Sequence, residues 1–171
     1  MNHMRLLVMI GLLSSAWSAE DPVPSPEPMP VAITQAADGT ILLHARDATV
    51  HGTSVRYEPQ KHKNAIGFWT RQDDWVSWTF SVAAPGTYAV EILQGCDKGS
   101  GGAEVEVKAA DQTLTFIVED TGHCQNFVKR GIGELTFKEA GSVTLTVTPK
   151  SKPGVAVMDL RQVLLTPKPK K

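Results

Sequence analysis

Helical periodicity is nearly absent from this sequence, and that absence excludes most helical and α/β folds at the outset. Charge of one sign is missing too. Seventeen Lys+Arg against 18 Asp+Glu leave a formal net charge of −1, so nothing in the composition draws the chain to nucleic acid or to an anionic membrane. Apolar runs are short. Leu6 to Leu13 covers about eight residues, too few to cross a bilayer as a helix, and no later stretch could span one. After residue 19 the histidines are His44, His51, His62 and His123; they show no zinc spacing such as H-E-x-x-H, and C-x-x-C does not occur. The glycine-rich Gly95–Gly102 segment lacks the G-x-x-x-x-G-K-[ST] phosphate-loop pattern. The adjacent carboxylates Asp73 and Asp74 cannot flank a glycosidic bond, because neighbouring strand residues point to opposite faces. No nucleophile motif is recognisable, so the sequence reads as non-catalytic.

What is present has a clear order. Residues 1–19 read as a secretory signal: Arg5 is the positive n-region, Leu6–Leu13 the apolar core, and Ala16-Trp17-Ser18 the small-residue cleavage region. Export implies a secreted or periplasmic protein. Residues 20–39 form a linker, in which Asp21–Pro30 carries proline at every second position and favours an extended chain over helix or central strand. Residues 40–166 then alternate with period two. Val76, Trp78, Phe80 and Val82 oppose Ser77, Thr79 and Ser81; Tyr88, Val90 and Ile92 follow the Pro85-Gly86 turn. Val105 and Val107, then Leu114, Phe116 and Val118, then Val143, Leu145 and Val147 repeat the pattern. Such strands, each with one apolar face, predict an all-β antiparallel sandwich of the jelly-roll kind. The first strand, Ile41–Arg46, and the last, Ala156–Thr166, are expected side by side, closing the domain. Residues 167–171 are a short basic tail. Cys96 and Cys124 either pair or remain two separate buried thiols; a bridge would close a loop of roughly 28 residues and add about 3 kcal/mol.

Gly67–Tyr88, Asp120–Cys124 and Val157–Leu160 are three stretches that resemble the carbohydrate-binding modules of families six and thirty-five, within the galactose-binding-like jelly rolls. Gly67-Phe68-Trp69, Asp73-Asp74-Trp75-Val76-Ser77-Trp78 and Pro85-Gly86-Thr87-Tyr88 resemble the family's aromatic, "DWVxY" and "PGTY" block. Asp120-Thr121-Gly122-His123-Cys124 resembles its "TGxW" loop, and Val157-Met158-Asp159-Leu160 its closing "NIDxI" strand. The chain is also similar to domains appended to bacterial sulfatases and fucosidases. The resemblance implies a carbohydrate ligand held by loops at one end of the sandwich, with Trp69 in the first stacking position. The second stacking aromatic falls on Cys124 and the sugar-reading Asn on Val157, so two of the family's site positions have changed chemistry. That departure keeps open an alternative, a structural or protein-interaction domain without a sugar cleft.

The resemblance also implies a structural calcium, held by acidic residues on the first strand and an Asp on the last. His44 and Arg46 stand at the first-strand positions while Asp159 persists, which predicts an Arg46–Asp159 ion pair in place of the metal. A shifted calcium site near Asp47 and Asp159 is the alternative; otherwise no cofactor is expected. Besides Trp69, the candidate ligand contacts are His62 and Asn64 in the Glu58–Asn64 loop, Asp97 and Lys98 in the glycine-rich loop, and His123 and Gln125 beyond it. The expected partner is a carbohydrate bound by a monomer, with no nucleic acid and no membrane span.

Overall fold

The computed structural model describes residues 32–169. The signal expected over residues 1–19 and the alternating-proline stretch Asp21–Pro30 lie outside the described residues. Two six-stranded sheets enclose one core. In the first sheet the order is β1 (Ile33–Thr34), β6 (Trp75–Val82), β11 (Gly141–Pro149), β8 (Glu104–Ala109) and β9 (Gln112–Ile117), with β3 (Thr49–His51) also on β6. In the second it is β10 (His123–Phe137), β7 (Gly86–Cys96), β12 (Asp159–Pro167), β5 (Ala65–Gly67) and β4 (Arg56–Glu58), with β2 (Ile41–His44) also on β12. Among the described residues every pairing is antiparallel except the two-residue contact of β1 with β6. No described helix is long and apolar enough to cross a membrane.

The period-two residues point where their pattern places them. Val76, Trp78, Phe80, Val82, Tyr88, Val90, Ile92, Val105, Val107, Leu145 and Val147 are all buried. Each large side chain of this set contributes about 2 kcal/mol by leaving water. The Trp78 indole N–H donates to the His44 carbonyl at 2.8 Å, so burying the ring leaves no polar group unpaired. On the other face of the first sheet the same alternation places hydroxyls: Thr79 faces Thr144, and Ser77, opposite Thr146, is covered by His51, whose Nε2 lies 2.8 Å from its hydroxyl. The chain ends meet as expected, with Leu165 opposite Ile41 and Val163 opposite Leu43.

The structure departs from the sequence expectation in several places: the last strand starts at Asp159, not Ala156, and runs through Pro167, so the tail expected from residue 167 begins inside the sheet, where the Lys168 N–H still donates to the Thr87 carbonyl. The sandwich starts before residue 40, because Ile33–Thr34 pairs with β6 and the Gln35 amide oxygen accepts the Ala83 and Ala84 N–H groups at 2.9 Å each. The first main strand stops at His44: its Nδ1 accepts the Arg46 N–H at 3.0 Å and turns Ala45–Asp47 into a single 3₁₀ turn. The longest strand, β10, has no clean alternation in the sequence. Gly131 and Gly133 bracket a register shift there, and as an edge strand β10 has no neighbour beyond β7 in the path of its sheet.

Candidate functional site

At one end of the second sheet, strand ends and the loops between them converge on a polar trough. Asp159 opens β12 opposite Gly95 of β7, and Glu58 stands on β4, whose partner β5 ends at Gly67. Two glycines let these segments close up on one another. A Cβ at Gly67 would overlap the Glu58 and Asp159 carboxylates, and a Cβ at Gly95 would overlap the Cys124 carbonyl. Asp159 thus forms the floor, with Glu58 and Lys63 on one wall and Asp97, His123 and Cys124 on the other.

The walls are held by loops tied to each other. Lys63 donates to Glu58, and the Arg161 guanidinium donates to the Lys63 and His62 carbonyls at 2.6 and 3.0 Å. The Arg161 guanidinium also lies 3.7 Å from the Phe127 ring centroid. Opposite, Asp120 accepts N–H groups from Gly99 at 2.5 Å and Gly122 at 2.7 Å, so one carboxylate joins the glycine-rich loop to the next. Asp97 Oδ1 accepts the Cys124 N–H at 2.8 Å across that junction.

The charges in the trough act on one another. Burial pushes the Asp159 carboxyl up to about 7; Glu58 and Asp97 push the same way, and Lys63 opposes them. The hydrogen bond to Glu58 raises Lys63. Burial, then the Asp159 and Asp97 charges, raise the Cys124 thiol, which remains protonated at neutral pH. Burial pushes the Cys96 thiol up to about 11 from within the core. Both cysteines are free thiols, Cys96 buried and Cys124 partly exposed.

Phe68 stands at the rim of this trough. It is 46% exposed and holds φ at +52°, a left-handed conformation that an aromatic residue rarely adopts. The Arg56 guanidinium covers one face at 3.4 Å from the ring centroid, and Lys63 Nζ lies 5.4 Å away. The adjacent Trp69, expected as the stacking ring, is corrected by the structure: it is 0% exposed. Its indole N–H donates to the Asp74 carbonyl at 2.8 Å, and its own carbonyl accepts the Val157 N–H. A ring with no accessible face cannot stack on a ligand. Val157, at the family's sugar-reading position, is buried as well.

The other expected residues divide. Asp97 and His123 meet beside Cys124. Asn64, at φ +47°, bonds the Tyr57 hydroxyl at 2.6 Å and lies 3.2 Å from His44 Nε2, so its amide serves the loop. His62 is exposed and contributes its carbonyl to Arg161. Lys98 is exposed, and its charge acts on Asp120. Gln125 donates its backbone N–H to His123 Nδ1 at 3.0 Å. Glu58 and Phe68 were not singled out by sequence reasoning. Glu58 lies in an unbroken polar run, and the Phe68-Trp69 pair has no period to tell which ring faces water.

The Arg46–Asp159 ion pair does not form. Arg46 reaches Asp47 instead, at 3.6 Å, with its side chain 65% exposed. The charges acting on Asp159 are those of Glu58, Asp97 and Lys63. The residues do not fit the family's calcium: His44 offers nitrogens already engaged by Arg46 and Asn64, and the Lys63 ammonium occupies the Glu58 carboxylate.

A separate concavity of about 320 Å³ lies among the turn residues Ala110–Asp111 and Lys138–Val143, at the other end of β8 from the trough loops. It gathers none of the residues just described.

The fold matches solved structures over most of the described chain. The C-terminal CBM6 of LamC, a marine laminarinase from Zobellia galactanivorans, aligns with a TM-score of 0.60 at 16% identity, covering 74% of this chain and 98% of that one. A family 35 carbohydrate-binding module from Clostridium thermocellum gives 0.59 at 11% identity, covering 75% and 98%. The module CBM6cm-2 of Cellvibrio mixtus lichenase 5A, in complex with cellotriose, gives 0.58 at 15% identity, covering 75% and 97%. At these identities the likeness establishes the jelly-roll sandwich expected from the strand pattern, and no more. No curated protein matches the sequence. A family model does match, over residues 50–169, and the chain belongs to that family, DUF5077, described as a domain of unknown function.

Proposed function

We propose that this protein is a non-catalytic carbohydrate-binding module that holds a neutral glycan in the Asp159 trough, with Phe68 as the stacking ring. The observation that carries the reading is the exposed, left-handed Phe68 at the rim of a polar trough on the loop end of a jelly roll. An aromatic face matches the C–H face of a pyranose, and nearby donors and acceptors read its hydroxyls. Lys63 and Arg56 supply donors; Glu58, Asp97 and Asp159 supply acceptors. Three carboxyl groups line the trough proper against one ammonium there, Lys63, which favours neutral over sulfated chains. The similar modules are named as carbohydrate-binding, one of them with cellotriose bound, and this supports the same class of ligand here. The Arg5 and Leu6–Leu13 pattern supports a place outside the cytoplasm, secreted or periplasmic, where such ligands occur. The reading makes the protein a monomer in solution.

The test is binding of the protein to an array of neutral and sulfated glycans, beside Phe68→Ala. The expected result is retention of one neutral class by the wild type and its loss in the variant, with an unchanged melting curve. Absence of binding to every glycan would overturn the reading and favour a protein-interaction domain.

A further inference from the structure

The trough wall opposite Phe68 has a chemistry that sugar recognition does not require. Asp97, His123 and Cys124 each offer one metal-ligating atom, and the three atoms lie within 4.8 Å of one another. We propose that these three side chains form a binding site for a single divalent transition-metal ion of the zinc class. The sequence conceals the set. Asp97 is 27 positions from Cys124, and His123 and Cys124 are adjacent, unlike the spaced pairs of known zinc motifs. Adjacent residues in a regular strand diverge, but the β10 register is broken between His123 and Val128, and the glycine at position 95 lets the Cys124 backbone cross close over β7.

The donor set selects the ion. A thiolate and an imidazole prefer zinc, cobalt or copper to calcium or magnesium, which take oxygen ligands. In a tetrahedral zinc site, ligand atoms stand about 3.5 Å apart, so closing from 4.8 Å needs side-chain rotation of about 1 Å. Asp97 and His123 are exposed, and Asp97 has a second carboxylate oxygen beyond the one that accepts the Cys124 N–H. Three protein ligands leave a fourth position for water or a ligand oxygen.

The framework is already assembled. Asp97 Oδ1 accepts the Cys124 N–H, Asp120 ties the two loops, and the Thr121 hydroxyl accepts the Cys96 N–H at 2.8 Å. On binding, Cys124 releases its thiol proton to solvent and the ion sheds water. His123 gives up the bond from Gln125 N–H to Nδ1, because ligation through either ring nitrogen ends that acceptance. The surroundings are anionic: the Asp159 and Asp97 charges both act on Cys124, with Lys63 opposing them. A divalent cation reverses the effect of those carboxylates from repelling a thiolate to sharing its counter-ion. The site does not depend on glycan binding.

The experiment is a titration of the chelator-treated full-length protein with Co²⁺, followed by Zn²⁺ displacement. The expected result is a thiolate-to-cobalt charge-transfer band that saturates at one equivalent and disappears when zinc is added. Cys124→Ser should abolish the band, and His123→Gln and Asp97→Asn should each weaken zinc binding by at least about tenfold. Asp73→Asn, exposed and outside the cluster, should change nothing. Thermal melts of each variant without metal report that the fold is kept. A missing band, or zinc binding unchanged in both Cys124→Ser and His123→Gln, would overturn the proposal.

Discussion

Two inward-drawn carboxyl groups of this sandwich have opposite fates. Asp74 is buried and surrounded by donors: N–H groups of Thr53, Ser54 and Val55 at 3.1, 2.8 and 2.9 Å, and the Ser54 hydroxyl at 2.6 Å. Burial alone would raise its proton affinity, yet the Ser54 hydroxyl and the three backbone N–H groups together hold it well below the usual carboxylate range. Asp159 is less buried and surrounded by charge. Burial raises it, Glu58 and Asp97 add to the rise, and Lys63 is too engaged with Glu58 to cancel them. The first carboxylate closes a loop over the Trp69 core. The second is kept strained by its neighbours, as groups at binding sites often are. The comparison teaches that burial does not determine a carboxylate's role; the donors supplied with it do.

The largest effects should fall on the Asp74 side. Trp69→Ala should cost about 4 kcal/mol in denaturant unfolding, through lost burial and a cavity beneath Asp74. A cost below about 1 kcal/mol would mean that the ring faces solvent after all. Asp74→Ala should cost about 3 kcal/mol, because three N–H groups lose their acceptor. The pH dependence gives the sharpest contrast. With a depressed folded pKa, Asp74 stabilises the fold above its unfolded value of about 3.8, and that stability is lost as pH falls below it. With a folded pKa of about 7, Asp159 does the reverse. Its contribution is complete below about 3.8 and is lost as pH rises from there toward 7. Asp159→Asn, compared with wild type in chelator, should therefore be more stable at about pH 8 by about 2 kcal/mol, roughly half of the full shift once solvent screening is taken into account, and nearly equal at about pH 4. Equal curves at both pH values would end the contrast. The smallest effect on stability should come from Phe68→Gly. Relief of the left-handed conformation, about 1 kcal/mol, is offset by the greater freedom of the unfolded chain. Melting should stay within a few degrees while glycan binding is lost.

The strand pattern was legible because burial imposes it locally. Val76–Val82 and Tyr88–Ile92 alternate whether or not their partners are known, and both runs line the core. The β10 strand was not legible, since its glycine bulge breaks the period. The site was read in part. Asp97 and His123 meet beside Cys124, which loop position alone did not indicate, and Trp69 misled. Two adjacent aromatics offer one buried and one exposed place, and the side chain that can satisfy its N–H inside takes the core. Phe68, with no polar atom to place, is left at the surface under Arg56.

By itself the sequence determined that the domain is an antiparallel β-sandwich, because period two and turn chemistry are local properties of the chain. It also determined which residue types are available for binding. Only the tertiary structure decided which of them meet. Glu58, Asp97, Cys124 and Asp159 come from four separate segments, and their proximity follows from strand order and from two glycines that let those segments approach. Proton affinity at Asp159 is likewise a property of that meeting, since it depends on charges that no local pattern encodes.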